Sequence, residues 1–213
     1  MKISASFLGI KDNIEENLRL LNECNIDYIH LDVMDGVFVS NKTYNAKEAI
    51  SLLKYTDKPK DVHLMVSDIK KYIDDFLCVN PEFITVHYEA ISDDALISLG
   101  VINYIKSKNI KAGLAIKPNT NIEEIMTLLP YLDLILVMSV EPGSGGQKFI
   151  DTSKDKIDTL YKLKNDNGYN YLIEVDGGIN CETIKLCKHA DICVVGSYIT
   201  NGDYKQRVNS LKN

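Results

Sequence analysis

Two histidines and two aspartates lie near the ends of apolar, β-branched stretches, where a buried strand has little use for charge. His30 and Asp32 lie in YIHLDVMDG, His63 lies in KDVHLMV, and Asp176 ends YLIEVD. Residues two apart on a strand point to the same side, so His30 and Asp32 share a face. Taken singly, such a histidine is more often a hydrogen-bonded core residue, and such an aspartate a helix N-cap. If the fold brings these four side chains together, their two nitrogens and two oxygens would form an N2O2 site for one divalent transition metal, such as zinc, iron(II), manganese or cobalt.

Glycines follow three of the strand-like stretches and favour an anionic ligand. The longest of these sites is predicted to open a helix, whose free N–H groups attract an anion, and glycine lets the backbone approach a ligand closely. One glycine-rich loop is equally typical of a flexible turn, but three such sites together favour a phosphorylated ligand. They are EPGSGGQKF (141–149) with Gly143, Ser144, Gly145 and Gly146, then Gly177 with Gly178, and Gly196 with Ser197.

The elements that must position these residues alternate along the whole chain. Amphipathic segments such as NIEENLRLLNEC, with Ile14, Leu18 and Leu21 on one face, separate short apolar runs. This alternation is typical of parallel strands with helical crossovers. The strand candidates are KISASF (2–7), DYIHLDV (27–33), KDVHLMV (60–66), FITVH (83–87), KAGLAI (111–116), LILVM (134–138), YLIEVD (171–176) and DICVVG (191–196).

Eight strand and helix units predict an α/β fold, a single-domain (β/α)8 TIM barrel over residues 1–213. In this fold functional groups lie at the carboxyl ends of the strands, which is where Ser6, Asp32 and Asp176 fall. An open doubly wound sheet is the alternative, but an early GxGxxG motif is missing and the repeat count favours closure.

The composition favours a small-molecule partner. Among 213 residues, 25 % are charged, the net charge is −6 and basic residues are scattered, which argues against nucleic acid or a membrane surface as partner. No apolar run is long enough to cross a membrane and no secretory signal is recognisable, so we expect a cytoplasmic protein. The five cysteines lack a CxxC pair and are predicted to be reduced apolar residues, not metal ligands.

Long motifs carry a family resemblance. HLDVMDGVFVSN, DVHLMV, LVMSVEPGSGGQKF and IEVDGGI, in this order and spacing, resemble the ribulose-phosphate 3-epimerase family from Ile3 to about Ile199. The resemblance implies a barrel of the ribulose-phosphate-binding type that interconverts D-ribulose 5-phosphate and D-xylulose 5-phosphate in the pentose phosphate pathway. It also implies one divalent metal per subunit, and a homo-oligomer is expected.

Carried over by position, the resemblance implies roles for individual residues. Asp32 and Asp176 would exchange protons with the substrate through a metal-stabilised cis-enediolate. The implied metal ligands are His30, Asp32, His63 and Asp176. The implied substrate-binding residues are Ser6, His63, Gly143, Ser144, Gly145, Gly146, Asp176, Gly177, Gly178, Gly196 and Ser197, and the methionines implied to line the pocket are Met34, Met65 and Met138.

The sequence departs from the family pattern at two loops and leaves other functions open. Ala5 stands where a proline usually precedes the serine, and Asn41 follows Ser40 where a proline is common. A 3-epimerase of a ketohexose phosphate such as allulose 6-phosphate is the nearest alternative. A phosphosugar decarboxylase would favour Asp-x-Lys-x-x-Asp, and the lysine is missing. A non-catalytic sugar-phosphate-binding barrel would be expected to lack a ligand or a proton carrier.

Other polar residues receive more ordinary interpretations. His87 ends a strand and is expected to support the site from outside it, while His189 should lie at the opposite end of the barrel. Glu174 shares the side of Asp176 on its strand, so it should point inward and need a partner. Asp35 beside Gly36 is predicted to form a turn or orient a ligand.

Overall fold

The described residues, 1–91 and 94–212, form a closed barrel of eight parallel strands in chain order, seen here in a computed structural model. The closed sheet confirms the predicted (β/α)8 barrel and excludes the doubly wound alternative. Each predicted strand is confirmed to within two residues at either end. The strands are β1 (Lys2–Ser6), β2 (Tyr28–Met34), β3 (Lys60–Met65), β4 (Pro81–His87), β5 (Lys111–Ile116), β6 (Leu134–Met138), β7 (Leu172–Asp176) and β8 (Ile192–Val195).

Helices surround the sheet and begin at side-chain caps in several places. Asn45 accepts a hydrogen bond from the Glu48 backbone N–H, and Asp94 accepts one from that of Leu96. The crossover from β5 to β6 contains short 3₁₀ helices, because Pro130 cannot continue an α-helix, and a 3₁₀ helix also joins β7 to β8. The α-helices are α1 (Ile14–Asn22), α2 (Ala46–Leu53), α3 (Ile69–Phe76), α4 (Ala95–Lys106), α5 (Ser153–Asn167), α6 (Ser197–Thr200) and α7 (Tyr204–Lys212).

Two apolar layers stabilise the barrel, one outside the sheet and one inside. Ile29, Leu31 and Val33 of β2 are fully buried in the outer layer. Tyr28 and Phe83 belong to the inner layer and pack edge to face, with ring centroids 5.7 Å apart. Because both faces of the sheet are buried, any charged side chain that points inward must find its partners inside the barrel. None of the helices in the described part of the chain has the length and apolarity needed to cross a bilayer.

The strand register brings the polar residues of neighbouring strands level with each other. Between β2 and β3, His30 pairs with Asp61 and Asp32 pairs with His63. Between β6 and β7, Met138 pairs with Asp176. The two-residue alternation of side chains therefore places the polar residues of β2 and β3 side by side inside the barrel, and sets Asp176 of β7 beside Met138.

Candidate active site

The structure brings together the four residues singled out as a metal-binding set. His30, Asp32, His63 and Asp176 each offer a ligand atom, and these atoms all lie within 4.8 Å of one another. His30 Nε2 lies 3.4 Å from Asp32 Oδ1, and His63 Nδ1 lies 3.3 Å from the same oxygen. Asp176 Oδ2 lies 3.9 Å from His63 Nδ1. Two imidazoles and two carboxylates thus face one small volume, as the sequence pattern predicted.

The chemistry of this cluster fits a divalent transition metal. His30 Nε2 is buried and has no hydrogen-bond partner among the described residues. Buried polar atoms are normally satisfied, so an unsatisfied ring nitrogen aimed at a carboxylate needs a further group. Mixed imidazole and carboxylate donors suit zinc, iron(II), manganese or cobalt.

His30 is held in place by Asp61, a residue that the sequence reasoning did not single out. Asp61 Oδ2 lies 2.6 Å from His30 Nδ1 and accepts a hydrogen bond from the Ser4 hydroxyl at 2.7 Å. A carboxylate at Nδ1 leaves Nε2 of the same ring free to face Asp32. Asp61 lies two residues before His63, so the alternation of side chains along β3 was the available signal.

His63 contacts a second imidazole. Its Nε2 lies 2.9 Å from His87 Nε2, and His87 Nδ1 lies 3.2 Å from Glu89 Oε2. His87 is fully buried, and burial, outweighing the contact with Glu89, lowers the pKa of His87 to about 4. The structure therefore places His87 beside a proposed ligand and not within the metal-binding cluster, as the sequence interpretation expected.

The two aspartates have opposite proton affinities. Burial raises the pKa of Asp176 to about 6, and the nearby Asp32 carboxylate adds to this rise. Burial also disfavours ionisation of Asp32, but the charge of His30 and the contacts with the His30 and His63 rings outweigh it and lower the pKa of Asp32. The Ser6 hydroxyl also donates to Asp32 Oδ2 at 2.8 Å. In the metal-free protein, one carboxylate is thus held ionised and the other is protonated far more readily.

Glu174 finds the partner that its inward direction required. Its carboxyl group is fully buried within reach of Asp61 and His30. Asp61 Oδ1 and both Glu174 oxygens have no N–H or O–H partner among the described residues. Burial, reinforced by the Asp61 carboxylate, raises the pKa of Glu174 well above its ordinary value. A protonated Glu174 has one O–H to donate to Asp61 Oδ1, which accounts for Asp61 Oδ1 and one of the two Glu174 oxygens.

A cavity of about 980 Å³ opens above the cluster at the carboxyl ends of the strands. This volume lies in the range of small-molecule sites. His30 and His63 are fully buried and do not line it, so direct contact of His63 with substrate stays a prediction. The predicted site residues that line the cavity are Ser6, Asp32, Met34, Met65, Met138, Gly143, Ser144, Gly145, Gly146, Asp176, Gly177, Gly178, Gly196 and Ser197.

The glycine-rich loop after β6 borders the cavity, but the prediction that it opens a helix is wrong. Helix α5 begins only at Ser153. Gly143 and Gly146 have φ values of +112° and +76°, which a right-handed helix does not allow. The Gln147 side chain instead closes a compact turn by donating to the backbone oxygens of Glu141 and Ser144.

Neighbouring loops pack tightly against this turn. The Asn41 side chain donates to the Gly143 backbone oxygen at 2.7 Å, which joins the loops after β2 and β6. A Cβ at Gly178 would lie 2.3 Å from the Phe149 backbone nitrogen, so only glycine permits this approach of the loops after β6 and β7. Asn41, which the sequence reasoning noted only as a departure, thus contributes to the cavity wall.

The remaining polar predictions agree with the structure. Asp35 forms a turn, since its Oδ1 accepts from the backbone N–H groups of Val37 and Phe38. Its Oδ2 accepts from the N–H and hydroxyl of Ser67, and these bonds, outweighing burial, lower the pKa of Asp35 to about 2. His189 precedes β8 and contacts Asp158, outside the cavity.

Comparison with known proteins agrees with this geometry. The model of the "Ribulose-phosphate 3 epimerase family" matches residues 2–200. This chain belongs to that family. It is 39 % identical over 177 residues to ribulose-phosphate 3-epimerase of Treponema pallidum, covering 82 % of this chain and 79 % of that protein. It is 37 % identical over 216 residues to the enzyme of the same name from Methanocaldococcus jannaschii, covering 100 % and 90 %.

A solved structure supports the fold of this family member independently. This chain superposes on 3-hexulose-6-phosphate synthase from Salmonella typhimurium with a TM-score of 0.70 and 18 % sequence identity. The superposition covers 99 % of this chain and 96 % of that protein. At this identity the likeness concerns the barrel alone. The assignment to an epimerase family rests on the sequence relatives.

Proposed function

We propose that this chain is a metal-dependent ribulose-phosphate 3-epimerase that interconverts D-ribulose 5-phosphate and D-xylulose 5-phosphate. The observation that carries the proposal is the pair Asp32 and Asp176, two carboxylates of opposite proton affinity that border one cavity beside two imidazoles. Family membership supplies the reaction class. All four side chains come from strands of one closed barrel, which supports a single domain over residues 1–213.

The reaction inverts the carbon beside a ketone, so a proton must leave one face and another must arrive at the opposite face. One group must be ionised to accept the proton, and the other must be protonated to return one. Asp32, kept ionised by His30 and hydrogen-bonded by Ser6, suits the first role in the resting protein. Asp176, whose pKa burial raises to about 6, suits the second. The roles exchange when the reaction runs in reverse.

Removal of the proton leaves an enediolate whose negative charge must be stabilised. We propose that His30, Asp32, His63 and Asp176 hold one divalent metal, with zinc, iron(II), manganese and cobalt all compatible with these donors. When bound, the metal would act as a Lewis acid toward the negative charge that develops on the substrate oxygens. Met34, Met65 and Met138 line the same cavity and would limit the access of water to the reacting carbon.

The phosphate of the substrate is proposed to bind at the glycine-rich part of the cavity wall. Close backbone approach is possible at these positions because glycine carries no side chain. Phosphate binding would fix the sugar so that its third carbon lies between the two aspartates, an orientation effect. The proposed phosphate-binding residues are Gly143, Ser144, Gly145, Gly146, Gly177, Gly178, Gly196 and Ser197.

The family resemblance further supports a homo-oligomer, and we propose a cytoplasmic location on the sequence features above. Light scattering of the purified protein tests the assembly.

The activity is tested with metal-stripped protein and D-ribulose 5-phosphate, before and after zinc, iron(II) or manganese is added back. We expect D-xylulose 5-phosphate to form only with metal, and faster than allulose 6-phosphate is epimerised. Preference for allulose 6-phosphate would support the ketohexose alternative. No turnover with any of these metals would overturn the proposed activity.

A further inference from the structure

The facing ring nitrogens of His63 and His87 contact each other inside the barrel, and one hydrogen lies between them. They lie on the adjacent strands β3 and β4, both are fully buried, and their Nε2 atoms are 2.9 Å apart. At this separation one nitrogen must carry the hydrogen and the other must accept it. The direction of this bond decides which nitrogen of His63 keeps a free lone pair.

Glu89 settles the direction from the far side of His87. Its Oε1 accepts hydrogen bonds from the Lys117 backbone N–H at 2.7 Å and from the Thr120 hydroxyl. Its Oε2 lies 3.2 Å from His87 Nδ1. An ionised carboxylate only accepts hydrogen bonds, so His87 Nδ1 is the donor in this contact.

The remaining proton positions follow along the chain of contacts. A neutral imidazole carries one N–H, so with Nδ1 protonated His87 accepts at Nε2. His63 must then donate from its own Nε2, which leaves the lone pair of its Nδ1 to bind a cation in place of a proton shared with Asp32. That nitrogen lies 3.3 Å from Asp32 Oδ1 and 3.9 Å from Asp176 Oδ2, inside the metal-binding cluster.

We propose that Glu89, acting through His87, holds His63 in the tautomer whose Nδ1 faces the metal, so that Glu89 and His87 are positioning residues for metal binding. The proposal rests on the metal site of the proposed function. The two imidazole ligands are then held differently, His30 directly by the Asp61 carboxylate and His63 through an intervening imidazole. A carboxylate partner to a metal-binding histidine fixes its ring and tautomer in this way.

The loop that carries the partners of Glu89 is itself anchored. Lys156 Nζ donates to the backbone oxygens of Lys117, Pro118 and Thr120 at 3.1, 2.7 and 2.5 Å. Glu89 is therefore fixed by residues of the loop after β5. This arrangement restricts how a substituted side chain at position 89 can orient.

Glu89→Gln is the sharpest test because it changes one carboxylate oxygen to an N–H₂ group. The amide oxygen is needed by Lys117 and Thr120, so the amide nitrogen is expected to face His87 and donate to Nδ1. Every hydrogen bond along the chain would reverse, and His63 would carry its proton on Nδ1, where it blocks metal binding. Glu82→Gln is the matched control, since it removes the same charge at the start of β4, the strand that leads to Glu89, where Glu82 pairs with Lys111 away from the cavity.

Two readouts are used, and neither depends on turnover. Cobalt(II) titration with its visible absorption should show affinity about 10- to 100-fold weaker in Glu89→Gln and unchanged in Glu82→Gln. Long-range ¹H–¹⁵N spectra should place the His63 proton on Nε2 and the His87 proton on Nδ1 in the zinc-loaded unsubstituted protein, and the His63 proton on Nδ1 in metal-free Glu89→Gln. His87→Gln, which can accept from His63 and donate to Glu89, should retain most of the affinity.

Unchanged cobalt affinity in Glu89→Gln, or a His87 proton on Nε2 in the zinc-loaded unsubstituted protein, would overturn the proposal. If Glu89→Gln fails to fold, the comparison is made between His87→Gln and His87→Leu. A loss of cobalt affinity in His87→Gln as large as that in His87→Leu would also overturn the proposal. If the cobalt affinity and the histidine proton positions change as expected but the protein has no epimerase activity, the proposed function is wrong and this inference still holds. If the protein has epimerase activity but neither the cobalt affinity nor the proton positions change in Glu89→Gln, this inference is wrong and the proposed function still holds.

Discussion

The two halves of the barrel interior obey the same strand geometry and differ completely in chemistry. Inward positions of β2, β3 and β7 carry His30, Asp32, His63, Glu174 and Asp176, whereas β5 and β6 present Ala115, Leu134, Leu136 and Met138. Both halves alternate inward and outward residues with a period of two. The fold requires only that inward side chains fill the barrel. The inward residues of β2, β3 and β7, the polar wall, can therefore carry reactive groups, while those of β5 and β6, the apolar wall, form the packed core.

The apolar wall also affects the pKa values of the side chains on the polar wall. Buried charges on β2, β3 and β7 face hydrocarbon across the barrel, where little solvent can compensate them. This burial raises the pKa values of Asp176 and Glu174, whereas the contacts with His30 and His63 outweigh it at Asp32 and lower the pKa there. Substitutions on the polar wall should mainly change turnover, and substitutions on the apolar wall should mainly change stability.

The largest expected effect is on the polar wall, from Asp176→Asn. Loss of the group that is proposed to exchange a proton with substrate should lower kcat by about 10²–10⁴-fold. Folding should be retained, because the neutral amide replaces a carboxyl whose ionisation burial disfavours. Steady-state kinetics and urea unfolding check both expectations. Exposed Asp151→Asn is the control, and substantial turnover by Asp176→Asn would refute the assigned proton role.

The opposite result is expected on the apolar wall, from Leu136→Ala. Leu136 is fully buried and does not line the cavity. The change should lower the free energy of unfolding by about 3 kcal/mol through lost burial and a residual cavity, with kcat near that of the unsubstituted protein. Urea denaturation and kinetics at low temperature measure the two quantities. A large fall in kcat with unchanged stability would break the distinction between the walls.

A smaller effect is expected at the rim of the cavity, from Ser197→Ala. Loss of the hydroxyl that is proposed to bind the substrate phosphate should raise KM about tenfold, with little change in kcat. Ser107→Ala, in the turn that ends α4, is the control because the Ser107 hydroxyl bonds only the Tyr104 backbone oxygen in the described contacts. An unchanged KM would remove Ser197 from the phosphate site.

The smallest effect is expected beneath the site, from Glu174→Gln. Unfolded glutamate ionises near pH 4.3, and burial with Asp61 raises the pKa of folded Glu174 well above its ordinary value. The folded state therefore keeps a proton that the unfolded chain has released, so stability falls as pH rises through this interval. Glu174→Gln should lose less stability between about pH 5 and pH 8.

Urea unfolding across this pH range measures the difference. Exposed Glu123→Gln is the control and should follow the unsubstituted protein. Parallel stability curves for all three proteins would mean that Glu174 does not carry the buried proton.

Much of the fold, and the clustering of His30, Asp32, His63 and Asp176, could be predicted from the sequence. Strand alternation put His30 and Asp32 on one side, and the rule that barrels place function at strand ends selected Asp176. The contacts between strands could not be predicted, because the register that pairs His30 with Asp61 depends on the whole closed sheet. For the same reason Glu174 had no identifiable partner before the structure.

Loop conformation was the least predictable level. The glycines of EPGSGGQKF suggested a helix start, but their positive φ angles are set by turn contacts such as those of Gln147. His87 could be recognised as a supporting residue from its strand-end position. Its role between His63 and Glu89 required the spatial arrangement of β3 and β4.

The measurement that tests the central claim most directly is exchange of the substrate C3 hydrogen with solvent deuterium, using metal-loaded Asp32→Asn and Asp176→Asn. If the two carboxylates act on opposite faces, each variant should exchange this hydrogen in only one of the two pentulose phosphates, and not the same one, without net epimerisation. Metal content measured in the same samples controls for lost ligation. Exchange in both substrates by either variant, or in the same substrate by both, would contradict the account.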